Sequence, residues 1–80
     1  MQLDILTPEK KVYSGNAKSV LFPGANGFFQ VLDNHAAMVA ALKEGNMKVE
    51  SDTGATHYQI TGGFVEVLKN KVTVLIEGLK

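Results

Sequence analysis

Few groups in this chain have the type and spacing to do chemistry. His35 follows Asp33 and Asn34, and a carboxylate close to an imidazole can poise a general base. No Ser, Cys or second acid adjoins that triplet to complete a nucleophilic or acid–base pair, so His35 is expected to brace a loop. His57 falls on the polar side of an alternating segment, where a solvated surface imidazole is the ordinary expectation. The absence of Cys excludes a disulfide framework, a thiolate metal site and thiol chemistry, and two His alone argue against a zinc site. Gly24, Gly27, Gly62 and Gly63 form neither a Walker loop nor a dinucleotide fingerprint, so turn and bulge geometry is their expected use. No catalytic, cofactor-binding or metal-ligating residue and no cofactor is therefore expected.

The elements that must position these residues are short. Seven apolar runs recur between Gly, Asn and Asp punctuation, at 3–6, 18–22, 28–32, 47–50, 56–61, 64–68 and 71–77, which is the spacing of an all-β sandwich or barrel. Alternation supports strands: Val72, Val74 and Ile76 share one face of the last run, Met47 and Val49 alternate with Asn46, Lys48 and Glu50, and Tyr58 and Ile60 alternate with His57 and Gln59. Ser51-Asp52-Thr53-Gly54 reads as a hairpin turn in which Gly54 takes positive φ. Lys69-Asn70 reads as a second, with Asn70 tolerant of the left-handed region. One segment conflicts. Ala36 to Lys43 is a helix former by propensity, with Asp33 or Asn34 available as a cap and Gly45 as a stop, although it is short for a helix. Adjacent strand residues point to opposite faces, so Phe28-Phe29 is expected to send one ring into the core and leave the other at a loop edge.

Composition bounds the partners. Eighty residues, 45% apolar, make one domain, 1–80, near the small end of what folds unaided. Eight Lys, no Arg and eight acids give zero net charge, which argues against nucleic-acid binding. No apolar stretch is long enough to span a bilayer, and Met1-Gln2-Leu3-Asp4 does not begin a targeting peptide; a soluble protein is expected.

Two resemblances follow. Lys48 after Met47 is weakly similar to the modified lysine of biotinyl and lipoyl carrier domains, which are also small β-sandwiches. A carrier lysine occupies a hairpin turn, whereas Lys48 lies inside an alternating run with the turn four residues on. The second resemblance covers nearly the whole chain. Leu3-Asp4-Ile5 with Thr7-Pro8-Glu9, Val12-Tyr13-Ser14-Gly15, Pro23-Gly24 through Gly27 and an apolar pair, His35-Ala36, Lys43-Glu44-Gly45, and Thr61-Gly62-Gly63-Phe64-Val65-Glu66-Val67 occur in the order seen in the N-terminal β-sandwich domain of the F-type ATP synthase epsilon subunit, called delta in mitochondria. The chain departs from that pattern before and after the histidine. Gln30 replaces a Gly, Asp33-Asn34 replaces Pro-Gly, and Ala37 replaces a Pro.

The resemblance implies a single-domain β-sandwich and a strand, against propensity, at Ala36 to Lys43. It further implies a non-catalytic central-stalk subunit of a proton-translocating ATP synthase, linking the gamma shaft to the membrane c-ring and coupling proton flow to ATP synthesis. A ring-facing patch is expected at Ala25, Asn26, Gly27, Phe28, Phe29, Asp33, Asn34 and His35. The gamma-facing patch is expected at Thr7, Met38, Val39, Ala40 and Ala41. Family members typically continue into a helical C-terminal hairpin that restrains rotation; with the chain stopping at Lys80, coupling without inhibition is expected. The implied location is peripheral, on the cytoplasmic face of a bacterial plasma membrane.

Overall fold

The computed structural model describes residues 1–80, and every regular element in it is a strand. In chain order these are β1 (Gln2–Leu6), β2 (Lys11–Asn16), β3 (Ser19–Gly24), β4 (Gly27–Leu32), β5 (Met38–Leu42), β6 (Gly45–Ser51), β7 (Gly54–Ile60), β8 (Gly63–Leu68) and β9 (Lys71–Ile76). Each of the seven apolar runs became a strand. The two additions are β2 and β5, whose sequences hide their period. In β2 Lys11 to Asn16 has no fully buried position, as suits an edge. In β5 every residue is apolar, yet exposure alternates, with Val39 and Ala41 outward and Met38, Ala40 and Leu42 inward. The strand implied by resemblance thus replaces the helix that propensity favours. Five residues are too few for a self-supporting helix, whereas pairing of all of β5 with β8, from Met38 opposite Val67 to Leu42 opposite Gly63, satisfies the backbone in a strand.

The ladder runs β2-β1-β9-β8-β5-β3-β6-β7, with β4 on the other side of β3. Its weakest link is β5 to β3, a single pair of Leu42 with Gly24. There the ladder divides into a five-stranded layer, β2-β1-β9-β8-β5, and a four-stranded layer, β4-β3-β6-β7. The inward residues of both layers meet in one cluster: Leu3, Ile5, Val65, Val67, Val72, Val74 and Ile76 from the first, and Val20, Phe22, Val31, Met47, Val49 and Ile60 from the second. This is the two-layer packing of a β-sandwich.

Turn chemistry explains the register. Lys69 (φ 50°) and Asn70 (φ 59°) are both left-handed between paired Leu68 and Lys71, as a two-residue type I′ hairpin requires. Gly54, at φ 128°, closes the β6–β7 hairpin. Gly62 and Gly63 carry the chain from β7 in one layer to β8 in the other, and the β8–β9 register is unbroken, so their role is a sharp bend and not a bulge. A Cβ on Gly63 would stand 2.1 Å from the carbonyl oxygen of Leu75, so no side chain fits where β8 meets β9.

Candidate interaction surfaces

Phe28 and Phe29 divide as alternation demands. Phe29 turns inward and stacks on core Phe22 with ring centroids 5.3 Å apart, while Phe28 stays 59% exposed. The turn holding them is tied to β5 by two backbone hydrogen bonds, Ala25 N–H to Ala41 O (3.0 Å) and Lys43 N–H to Pro23 O (2.9 Å). Between turn and strand lies an open groove of about 470 Å³, lined by Gly24 to Phe29 on one wall and Met38 to Ala41 on the other. Residues expected on two separate patches therefore share this groove.

Asp33, Asn34 and His35 lie at the far end of β4, about 20 Å away along a six-residue strand. Their groups serve the loop. Asp33 accepts from the Met1 ammonium at 2.5 Å, and that ammonium also donates to Ala17 O at 2.9 Å. Asn34, left-handed at φ 62°, donates its backbone N–H to the side-chain oxygen of Asn70 at 2.8 Å. His35 Nδ1 donates to Ala36 O at 2.8 Å, the bracing role expected of it. Because β4 pairs only with β3, its open edge joins the two ends into one continuous rim.

Thr7 stands apart from Met38 to Ala41. It follows β1, three strands from β5 in the ladder, roughly 14 Å at usual strand spacing. Its hydroxyl accepts from Lys10 N–H (3.1 Å) and Glu9 N–H (3.3 Å), so it shapes the β1–β2 turn. Between Thr7 and β5 lies what sequence reading missed. Across the outer face of the five-stranded layer, Ala41, Phe64, Leu75 and Leu6 stand opposite one another in register. Phe64 is 60% exposed, Leu75 54% and neighbouring Val39 72%. A signal for this row exists in the sequence: Phe64-Val65 and Val74-Leu75-Ile76 are apolar in both phases of the alternation, which is the pattern of strands covered on both faces.

The next row down is polar. Val39 leads across to Glu66, Thr73, Asp4 and Ser14. Ser14 Oγ donates to Asp4 at 2.7 Å, and this bond is the main cause of the lowered Asp4 pKa, with Gln2 and the charges of Lys11 and Lys71 adding to it against desolvation. Across the core, burial followed by the nearby Tyr13 raises the Tyr58 phenol above its usual value. Lys48 lies within β6, opposite His57 and paired with Glu50 at 3.1 Å, not at the Asp52-Thr53 hairpin tip where a swinging arm would need it. His57 is exposed, with its Nδ1 3.0 Å from Asn46 Nδ2. No three metal-ligating side chains converge, and no helix is long and apolar enough to cross a membrane. The surface offers area, not reactive groups.

Comparison with known proteins agrees with this two-layer architecture. The family model for the ATP synthase delta/epsilon chain β-sandwich domain matches residues 1–79. Among curated proteins, the ATP synthase epsilon chain of Chlorobaculum tepidum is 50% identical over 76 residues, covering 94% of this chain and 86% of that protein. That of Chlorobium limicola is 46% identical over 77 residues, covering 95% of this chain and 88% of that protein. The cyanelle homologue of Cyanophora paradoxa is 41% identical, and the match covers 95% of this chain but 59% of that protein. Among solved structures, a chain of the Euglena gracilis mitochondrial ATP synthase superposes with a TM-score of 0.90 at 22% identity, covering 98% of this chain and 51% of that one. A chain of the Tetrahymena thermophila central stalk and c-ring structure superposes with a TM-score of 0.85 at 16% identity, covering 99% of this chain and 64% of that one. The structural likenesses establish the fold. Sequence identity and the family model go further, and on them the chain belongs to the ATP synthase delta/epsilon family, as its β-sandwich domain.

Proposed function

We propose that this domain is a non-catalytic rotor component of a proton-translocating ATP synthase, a rigid body joining the gamma shaft to the c-ring and coupling proton flow to ATP synthesis. The observation that carries this reading is the apolar row of exposed Ala41, Phe64 and Leu75 with half-buried Leu6, flanked by exposed Val39. A small monomer gains nothing by leaving such a row in water, and a permanent partner would cover it. The gamma shaft is read onto this face, with Met38 to Ala41 at one border and the Thr7 turn at the other. The ring is read onto the rim of β4, from Ala25 to Phe29 through to Asp33, Asn34 and His35. Those two surfaces adjoin at the groove between the Phe28 turn and β5. An ordinary contact takes about 800 Å² per partner. Two such contacts would cover about a third of this domain's 4635 Å², so adjacency of the patches is what a body this small requires.

Location follows from the partners: peripheral to the membrane at its cytoplasmic face, held by protein contacts. Co-expression with the cognate gamma subunit followed by size exclusion is the test. A stable pair that Phe64→Asp abolishes supports the assignment, and pairing that survives both Phe64→Asp and Val39→Asp overturns it.

A further inference from the structure

Chemistry of a different kind is built into the turn that walls the groove. The chain has five Asn residues, and Asn26 is the one followed by Gly. Asn26 and Gly27 are both exposed, Asn26 at the tip of the β3–β4 hairpin and Gly27 in the pair with Gly24 that closes it. Gly27 has φ 126°, and nothing lies within 4 Å of where a Cβ would be. A missing Cβ removes the main steric barrier to closing a ring between a side-chain amide and the next backbone nitrogen. The other four Asn residues precede Ala17, His35, Met47 and Lys71, each with a Cβ in the way.

We infer that Asn26-Gly27 is a site of spontaneous deamidation, which converts the neutral turn of the groove into an anionic one. The backbone nitrogen of Gly27 attacks Cγ of the Asn26 side chain and gives up its proton. The side-chain nitrogen takes a proton and leaves as ammonia, and a five-membered succinimide remains. Water then adds to either ring carbonyl carbon and opens the ring to aspartate or isoaspartate at position 26. No oxidant, metal or enzyme enters the balance. The product carries a carboxylate beside Phe28 and Ala41, and isoaspartate also lengthens the backbone by one atom in a tight hairpin. The effect on docking rests on the proposed function; the conversion does not.

The test is ageing of the purified chain at mildly alkaline pH, where loss of the Gly27 amide proton is easier, with peptide mass mapping and isoaspartate detection. Position 26 is expected to convert at least about tenfold faster than any other Asn, because it alone lacks the following Cβ. Asn26→Gln, whose ring would need six members, should remove the fast phase. The inference is overturned if another Asn converts as fast, or if position 26 stays intact in the folded chain while the urea-unfolded chain converts. Capture of gamma by the aged protein is read separately and reports on the docking assignment alone.

Discussion

Gly63 and Gly54 both have positive φ, but their surroundings differ, and that difference sets the cost of a side chain at each. At Gly63 an added methyl would overlap the Leu75 carbonyl, whereas at Gly54 it would enter open solvent. Gly63→Ala is expected to destabilise by about 2–4 kcal/mol, through backbone strain together with separation of β8 from β9. Gly54→Ala carries the strain alone, about 1 kcal/mol. Urea melts of the two variants check this, and equal effects would show that the close approach at Gly63 does not matter. At Asp4 the prediction concerns pH. The folded-state pKa is lowered, chiefly by the Ser14 hydroxyl, so the contribution to stability is present above the unfolded pKa and is lost as pH falls through the folded one. In Ser14→Ala the Asp4 carboxyl should titrate at higher pH by NMR, and the acid limb of the stability curve should shift with it. An unchanged Asp4 titration would remove the Ser14 bond as the cause.

Among the elements, pairing is uneven, and protection against exchange should follow it. β8 and β9 have a partner strand on each side, whereas β2, β4 and β7 have one. Amides of β8 and β9 are expected to exchange most slowly and those on the open edges of β2, β4 and β7 fastest, in native-state hydrogen exchange. Fast exchange across β9 would contradict the ladder. On the proposed docking, binding of gamma should slow β5 and β8 further, and binding of the ring should slow β4.

How much of this was legible in sequence also divides by element. Runs such as Lys71 to Ile76 showed their burial in plain alternation, because one phase is Val, Val, Ile and the other mostly polar. β5 was opaque to that test: Met-Val-Ala-Ala-Leu is apolar throughout, so periodicity carries no phase and propensity points to helix. Only long-range pairing with β8 decides it. The candidate site was legible in part for the same reason. Phe28 stood out as a doubled aromatic, but the row through Phe64 and Leu75 joins residues distant in sequence, and only the register of β5, β8, β9 and β1 assembles it. Likewise the groove between the Phe28 turn and β5 required the Gly24–Leu42 corner to bring its walls together.

At the scale of the whole domain, the proposed function asks for rigidity and covered area. Every regular element within residues 1–80 is a strand, and the side chains of Asn70 and His35 are bonded to nearby backbone. Added to an ATP synthase depleted of its epsilon subunit, the purified domain is expected to restore coupling and leave ATP hydrolysis uninhibited. Strong inhibition of hydrolysis would show that the sandwich itself acts as a brake.

One pairing governs how the chain can reach this state. β1, the first strand, lies parallel to β9, the last, from Gln2 opposite Lys71 to Leu6 opposite Leu75. Parallel neighbours cannot be made by a local hairpin, and here almost the entire chain is the connection. During synthesis, β1 has β2 on one side, but its other edge has no partner strand until residues 71–76 have been made. The five-stranded layer therefore cannot be completed before β9 exists, and a pairing this distant in sequence is of the kind that slows folding.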